Sequence, residues 1–161
     1  MRDLISVEFD DGGLAARLQD AVARLQNPRD LLGTLGAVLE ANVAVRFQTK
    51  TDPSGSRWDA LRPSTQASYA KRFKGNVPGT LLDRSFNGPG MRTTLAHNLV
   101  GNDAVEVGMS KAYALFHELG TKRMARRGMF FDNPDAGTLG REDERDLSDA
   151  VVAFLDDVFG V

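Results

Sequence analysis

Between residues 104 and 131 the chain reads AVEVGMSKAYALFHELGTKRMARRGMFF, and this stretch constrains the fold more than any other. Val105 and Val107 flank Glu106 in the alternation of a half-buried strand, which Gly108 interrupts. A short apolar run follows at Tyr113, Ala114, Leu115 and Phe116 and stops at Gly120, so a short helix is expected there. Four cations, Lys122, Arg123, Arg126 and Arg127, then fall within six residues. Met124, Met129, Phe130 and Phe131 interleave and follow them, returning the chain to apolar surroundings. The segment therefore reads as strand, short helix and basic loop, with the loop at residues 121–128.

The flanking sequence supplies elements for this segment to pack against. Ile5, Val7 and Phe9 alternate with polar residues, predicting a strand at 5–10. Leu14, Leu18, Val22 and Leu25 recur at helical spacing and place one apolar face on a helix at 14–26. A second helix is predicted at 30–47, with Asp30 as its N-cap. Its apolar residues, from Leu31 to Phe47, cover a broad arc, so it should be buried on more than one side. Gly33 and Gly36 each cost about 1 kcal/mol there relative to alanine, which close packing of another element would offset.

Residues 48–60 read as a mobile, polar, turn-forming loop that Trp58 anchors in the core. Ser64 is the expected cap of a short helix bearing Tyr69 and Phe73. Strands are expected at 81–86 and within 91–100, the second turning at 101–103 into 105–108. A final helix at 141–158 carries an apolar stripe, and Glu142, Asp143 and Glu144 near its start suit the positive end of the helix dipole. The fold class that results is α+β in a single domain spanning 1–161. A small, mainly antiparallel sheet from 81–108, with contributions from 5–10 and 129–131, packs against helices 14–26, 30–47 and 141–158.

Composition removes several functions. The 161 residues contain no cysteine, which excludes disulfides, thiolate nucleophiles and cysteine metal sites together. No apolar run approaches the roughly 20 residues needed to span a bilayer, and acids stand where a signal peptide would be apolar, so neither membrane insertion nor export by that route is expected. A net charge of -2 argues against a protein devoted to coating nucleic acid. His117-Glu118 is half of a His-Glu-x-x-His zinc motif, but Thr121 holds the second histidine position. With His97 as the other histidine, the ligand supply for a metal is poor. Serines and aspartates abound, yet no Gly-x-Ser-x-Gly elbow and no phosphate-binding P-loop occur. The balance favours a non-enzymatic protein without a cofactor.

The motifs also carry a resemblance. Val-x-Val-Gly at 105–108, Tyr-Ala-x-x-His-x-x-Gly at 113–120 and Met-Ala-Arg-Arg-Gly-Met-Phe at 124–130 are similar to the Mu-like phage virion morphogenesis family, the tail completion proteins of the head-tail neck. The same is true of the Gly55-x-x-Trp58-x-x-Leu61 element with Pro63 and Thr65 after it. The likeness spans about residues 48–131, and its motif residues include Trp58, Gly108, Tyr113, His117 and Gly120. Where that family reads closer to Met-Pro-Ala-Arg-Pro-Phe, this chain has Ala125 and Gly128 in place of the prolines, implying a less rigid loop. The resemblance implies a structural protein of the virion, assembled in the host cytoplasm. It would form a ring with copies of itself at the head-tail junction, beside connector and tail proteins and around DNA in the channel.

Two roles stay open for the cations. Lys122, Arg123, Met124, Arg126, Arg127 and Phe130 form a candidate interaction surface, because interface cores combine cations with apolar anchors. A solvated loop is the plainer reading. If they do make contacts, the partner is either another subunit, through acids of the C-terminal helix, or DNA. For His117 the plain expectation is a helix residue bonded to a backbone carbonyl. A hydrolase would instead need a pocket joining His117 or His97 to a nucleophile.

Overall fold

A computed structural model describes residues 12–72 and 90–160. Helix α1 spans Leu14–Gln26, α2 Arg29–Thr49 and α3 Pro63–Arg72. Strands β1, Leu95–Val100, and β2, Ala104–Met109, form an antiparallel hairpin in which His97 faces Val107 and Leu99 faces Val105. Helices α4, Ala114–Leu119, and α5, Arg141–Phe159, complete the α+β fold. The strands expected at 5–10 and 81–86, and Phe73, lie outside the described residues.

Helix α2 is the central layer. The hairpin packs on one side of it, α5 on another, and α1 packs in turn on α5. This explains why the apolar residues of α2 surround so much of its circumference. The core gathers Val43 and Phe47 from α2 with Trp58, Met91 and Met129. At Gly36 the hairpin comes so close that an added Cβ would stand 2.7 Å from Val105 Cγ2 and 2.8 Å from His97 Cδ2. Gly33, by contrast, faces open space, so close packing accounts for only one of the two helical glycines.

A buried ion pair ties α2 to α5. Arg46 lies 2.6 Å from the Asp143 carboxylate, their side chains 5% and 0% exposed, and donates a second bond to the Met129 carbonyl at 2.8 Å. Asn42 donates to Asp143 and Asp146, both at 3.0 Å. Two charges so deprived of water are tolerable only when they satisfy each other. Asp143 thus serves packing between helices beyond any part it plays at the helix dipole.

Several expectations need correction. Helix α2 starts at Arg29 behind Pro28, without a side-chain cap, so Asp30 sits inside its first turn. In α3, Pro63 is the first helical residue and Ser64 follows it, as suits a proline whose missing N–H is no loss there. Residues 129–131 are not a strand, because their N–H groups bond to a side chain. The apolar stripe of α1 is largely exposed, and Ala21 is that helix's buried residue.

Candidate interaction surface

Helix α4 ends where Gly120 takes a positive φ of 74°, with the backbone of Arg126 close behind it. A side chain at that position would be strained and crowded, so glycine suits both demands. The chain then folds into a tight turn. Thr121 and Met124 exchange backbone hydrogen bonds of 2.9 and 3.1 Å, leaving Lys122 and Arg123 exposed at the tip.

The four cations accordingly divide into two pairs. Arg126 turns back, donating to the carbonyl of Glu118 at 2.9 Å and to that of Phe131, and lies 3.6 Å from the Glu118 carboxylate. Arg127 is 4% exposed and donates to the carbonyls of Asp59 at 3.0 Å and Ala60 at 3.3 Å. Burial pulls its guanidinium below the ordinary value, while Asp59 and Tyr69 oppose the shift. These two arginines lock the loop to the body, and Lys122 and Arg123 are the cations left exposed at its tip. Met124 and Phe130 are half-buried, whereas Met129 is in the core.

Glu118 organises the loop from inside. It is 6% exposed, and its carboxylate accepts the N–H groups of Met129 at 2.7 Å, Phe130 at 3.2 Å and Phe131 at 3.0 Å. The segment expected to add a strand finds its hydrogen bonds here. A charged acceptor buried among backbone donors satisfies groups that would otherwise be orphaned.

Trp58 closes the assembly from the other side. Its ring meets Phe47 edge-on at 5.6 Å, and its Nε1 donates to the Gly128 carbonyl at 3.1 Å. The turn before it is built around Asp52, whose Oδ1 accepts the N–H groups of Ser54 at 3.0 Å and Ser56 at 2.9 Å. Pro53 packs against Gly140 at the start of α5, where a Cβ would come within 2.3 Å of the Pro53 carbonyl oxygen. At Gly128 a Cβ would stand 2.5 Å from Nη2 of Arg126, the flexible end of that side chain.

His117 differs from expectation. Its backbone carbonyl accepts the Arg127 N–H at 2.8 Å, but the ring Nδ1 is shielded from solvent and has no hydrogen-bond partner. Burial, aided by the charge of Arg127, pushes the imidazole down to about 4. Tyr113 packs edge-on to it at 6.3 Å. His97 is occupied elsewhere, its Nδ1 2.6 Å from Glu40 on α2. Gly108 lies within β2, opposite Ala96.

Beside α4 runs a mostly apolar groove of about 570 Å³, bounded by Met109, Lys111, Leu115, Glu118, Met129 and Phe131 among others. Neither histidine lines it, and the Glu118 carboxylate at its edge is committed to the backbone. The arrangement suits apolar contact better than bond chemistry. Among the described residues no cluster of His, Asp and Glu suits a metal ion, and no helix is long and apolar enough to cross a membrane.

Sequence reasoning missed Glu118, Arg46 and Asp143 as structural centres. Glu118 stands among exposed apolar residues on a six-residue helix, and Asp143 is one of a run of acids. The one available signal was Arg46 itself, a charge inside the apolar stretch from Val43 to Phe47.

The model of the phage virion morphogenesis family matches residues 9–155, extending past both ends of the 48–131 span suggested by the motifs. Comparison with curated proteins and with solved structures finds no match.

Proposed function

This chain belongs to the phage virion morphogenesis family, and from that membership we propose that it is a tail completion protein, a non-enzymatic component assembling as a ring at the head-tail junction. Its partners would be further copies of itself and the connector and tail proteins above and below. The observation that best supports this reading is the division of labour around α4. Glu118, Arg126 and Arg127 hold the loop from within, while Leu115, Phe116 and Leu119 are left at the surface beside the Lys122–Arg123 tip. A rigid mount under an apolar and basic surface is what contact with another subunit requires.

Mass measurement of the purified chain, alone and mixed with connector and tail proteins, tests the proposal. A discrete oligomer, alone or on mixing, supports it; a monomer indifferent to all of them sinks it. DNA is the second reading, carried by the two tip cations. Two phosphate contacts would give a slope of only about -2 in log affinity against log salt. That is too shallow for a protein whose main partner is nucleic acid, and a salt titration on duplex DNA measures it directly.

A further inference from the structure

Two apolar surfaces among the described residues are exposed to water. On the outer face of α4, Leu115, Phe116 and Leu119 are 58%, 54% and 51% exposed, next to the groove that reaches Met109 and Phe131. On α1, the stripe of Leu14, Leu18, Val22 and Leu25 is between 45% and 54% exposed along the helix. Helix α5, on which α1 packs, adds Val152, Leu155 and Phe159. Single exposed leucines are ordinary, but stripes repeated along neighbouring helices mark interaction surfaces.

The charge around the two surfaces differs in sign. Of the five cations in residues 111–127, Arg126 and Arg127 are bound within the loop, which leaves Lys111, Lys122 and Arg123, while the one acid, Glu118, is buried. Helices α1 and α5 together carry four arginines and eight acids, of which Asp143 is buried against Arg46. Two of those arginines are already engaged, Arg24 with Asp157 and Arg145 with Asp146 at 2.9 Å, while Asp149 and Asp156 are exposed.

The geometry points to a head-to-tail joint in which the α4 surface of one copy receives the α1–α5 face of a second copy of this chain. This rests on the ring reading above and specifies its contact. A second copy is the occupant favoured by the chain itself, which carries both halves of an apolar joint with rims of opposite charge. Because the halves are different surfaces, the contact is heterologous: every bound copy leaves one half free for the next, and a rotation per joint that closes gives the ring. The apolar side chains supply affinity, while the rims set register and association rate.

Light scattering on the full chain and on Leu18→Asp and Leu115→Asp tests the joint. Wild type should assemble beyond a dimer. Each variant alone should be monomeric, its self-association weakened by at least about thirtyfold, as for the loss of one hot-spot side chain. Mixed in equal amounts, the two variants should form a dimer and nothing larger, because only one intact joint can form. Wild-type circular dichroism in both variants secures the comparison. As a milder pair, Lys122→Glu with Arg123→Glu should slow assembly, and adding Asp149→Arg with Asp156→Arg should restore it. Wild-type assembly persisting in both aspartate variants would overturn this joint and leave the ring reading standing. A mixture that stays monomeric overturns the head-to-tail pairing, and a wild type that stays monomeric both alone and beside connector and tail proteins removes the ring and the joint together.

Discussion

Glu118 accepts the backbone N–H of Met129 at 2.7 Å, and through that bond the last turn of α4 dictates where the following loop enters the core. Its carboxylate also serves Phe130 and Phe131, so one side chain does for these residues what a neighbouring strand would do in a sheet. Glu118→Gln keeps the shape but turns an amide donor toward at least one of the N–H groups. The expected cost is about 1.5–3 kcal/mol, in line with hydrogen bonds to a charged group. Urea denaturation measures it, and an unchanged midpoint would mean that the loop is held by something else.

The buried imidazole of His117 predicts a pH dependence. Its ordinary value is 6.5, and desolvation, with the charge of Arg127 in support, pushes it down to about 4 in the folded chain. Above 6.5 both folded and unfolded chains are neutral at this position, and no penalty exists. As pH falls from 6.5 toward 4 the unfolded chain takes up the proton first, so folding stability declines across that window. His117→Leu should flatten the decline between pH 6.5 and 5, before most carboxylates titrate. Parallel curves for wild type and variant would contradict the burial of a neutral ring.

The two glycines of α2 should respond oppositely to alanine. At Gly36 the new Cβ would press on Val105 and His97, both belonging to the hairpin, and overpacking of this kind costs about 1–3 kcal/mol. At Gly33 nothing lies within 4 Å, so the same change should stabilise by up to about 1 kcal/mol through helix propensity alone. Thermal or urea unfolding of the two variants separates them. Equal effects would show that the close approach at Gly36 is relieved by a small shift of the hairpin.

What was legible in the sequence was local. The periodicity of 14–26, the length of the last helix and the hairpin turn at 101–103 follow from neighbours in the chain, and the structure places them within a residue or so. The burial of α2 on several sides was also readable, since its apolar residues occupy too wide an arc for one contact. What was not legible depended on partners far apart in sequence. No local pattern reveals that Glu118 would satisfy the N–H groups of 129–131, or that Arg46 would reach Asp143 across the helix interface. The same blindness made four adjacent cations look alike. A charge run is read from composition, while the direction of each side chain is set by carbonyls on other segments.

That difference in direction gives the sharpest prediction about the loop. Arg123 lies exposed on a two-residue tip, whereas Arg127, 4% exposed, donates to the carbonyls of Asp59 and Ala60. Arg123→Ala should therefore leave stability within about 0.5 kcal/mol of wild type, as most exposed substitutions do. Arg127→Ala gives up the guanidinium's bonds to both carbonyls and empties its buried place beside Trp58's partner Gly128, so a loss of about 1.5–3 kcal/mol is expected. The functional consequence runs the other way: Arg123→Ala should weaken contact with a partner while the fold persists, and Arg127→Ala should weaken contact only as far as it unfolds the loop. Denaturation curves and light scattering on the same two proteins test both halves. A stable Arg127→Ala protein that fails to assemble would return Arg127 to the contact surface, and with it the picture of four equivalent cations.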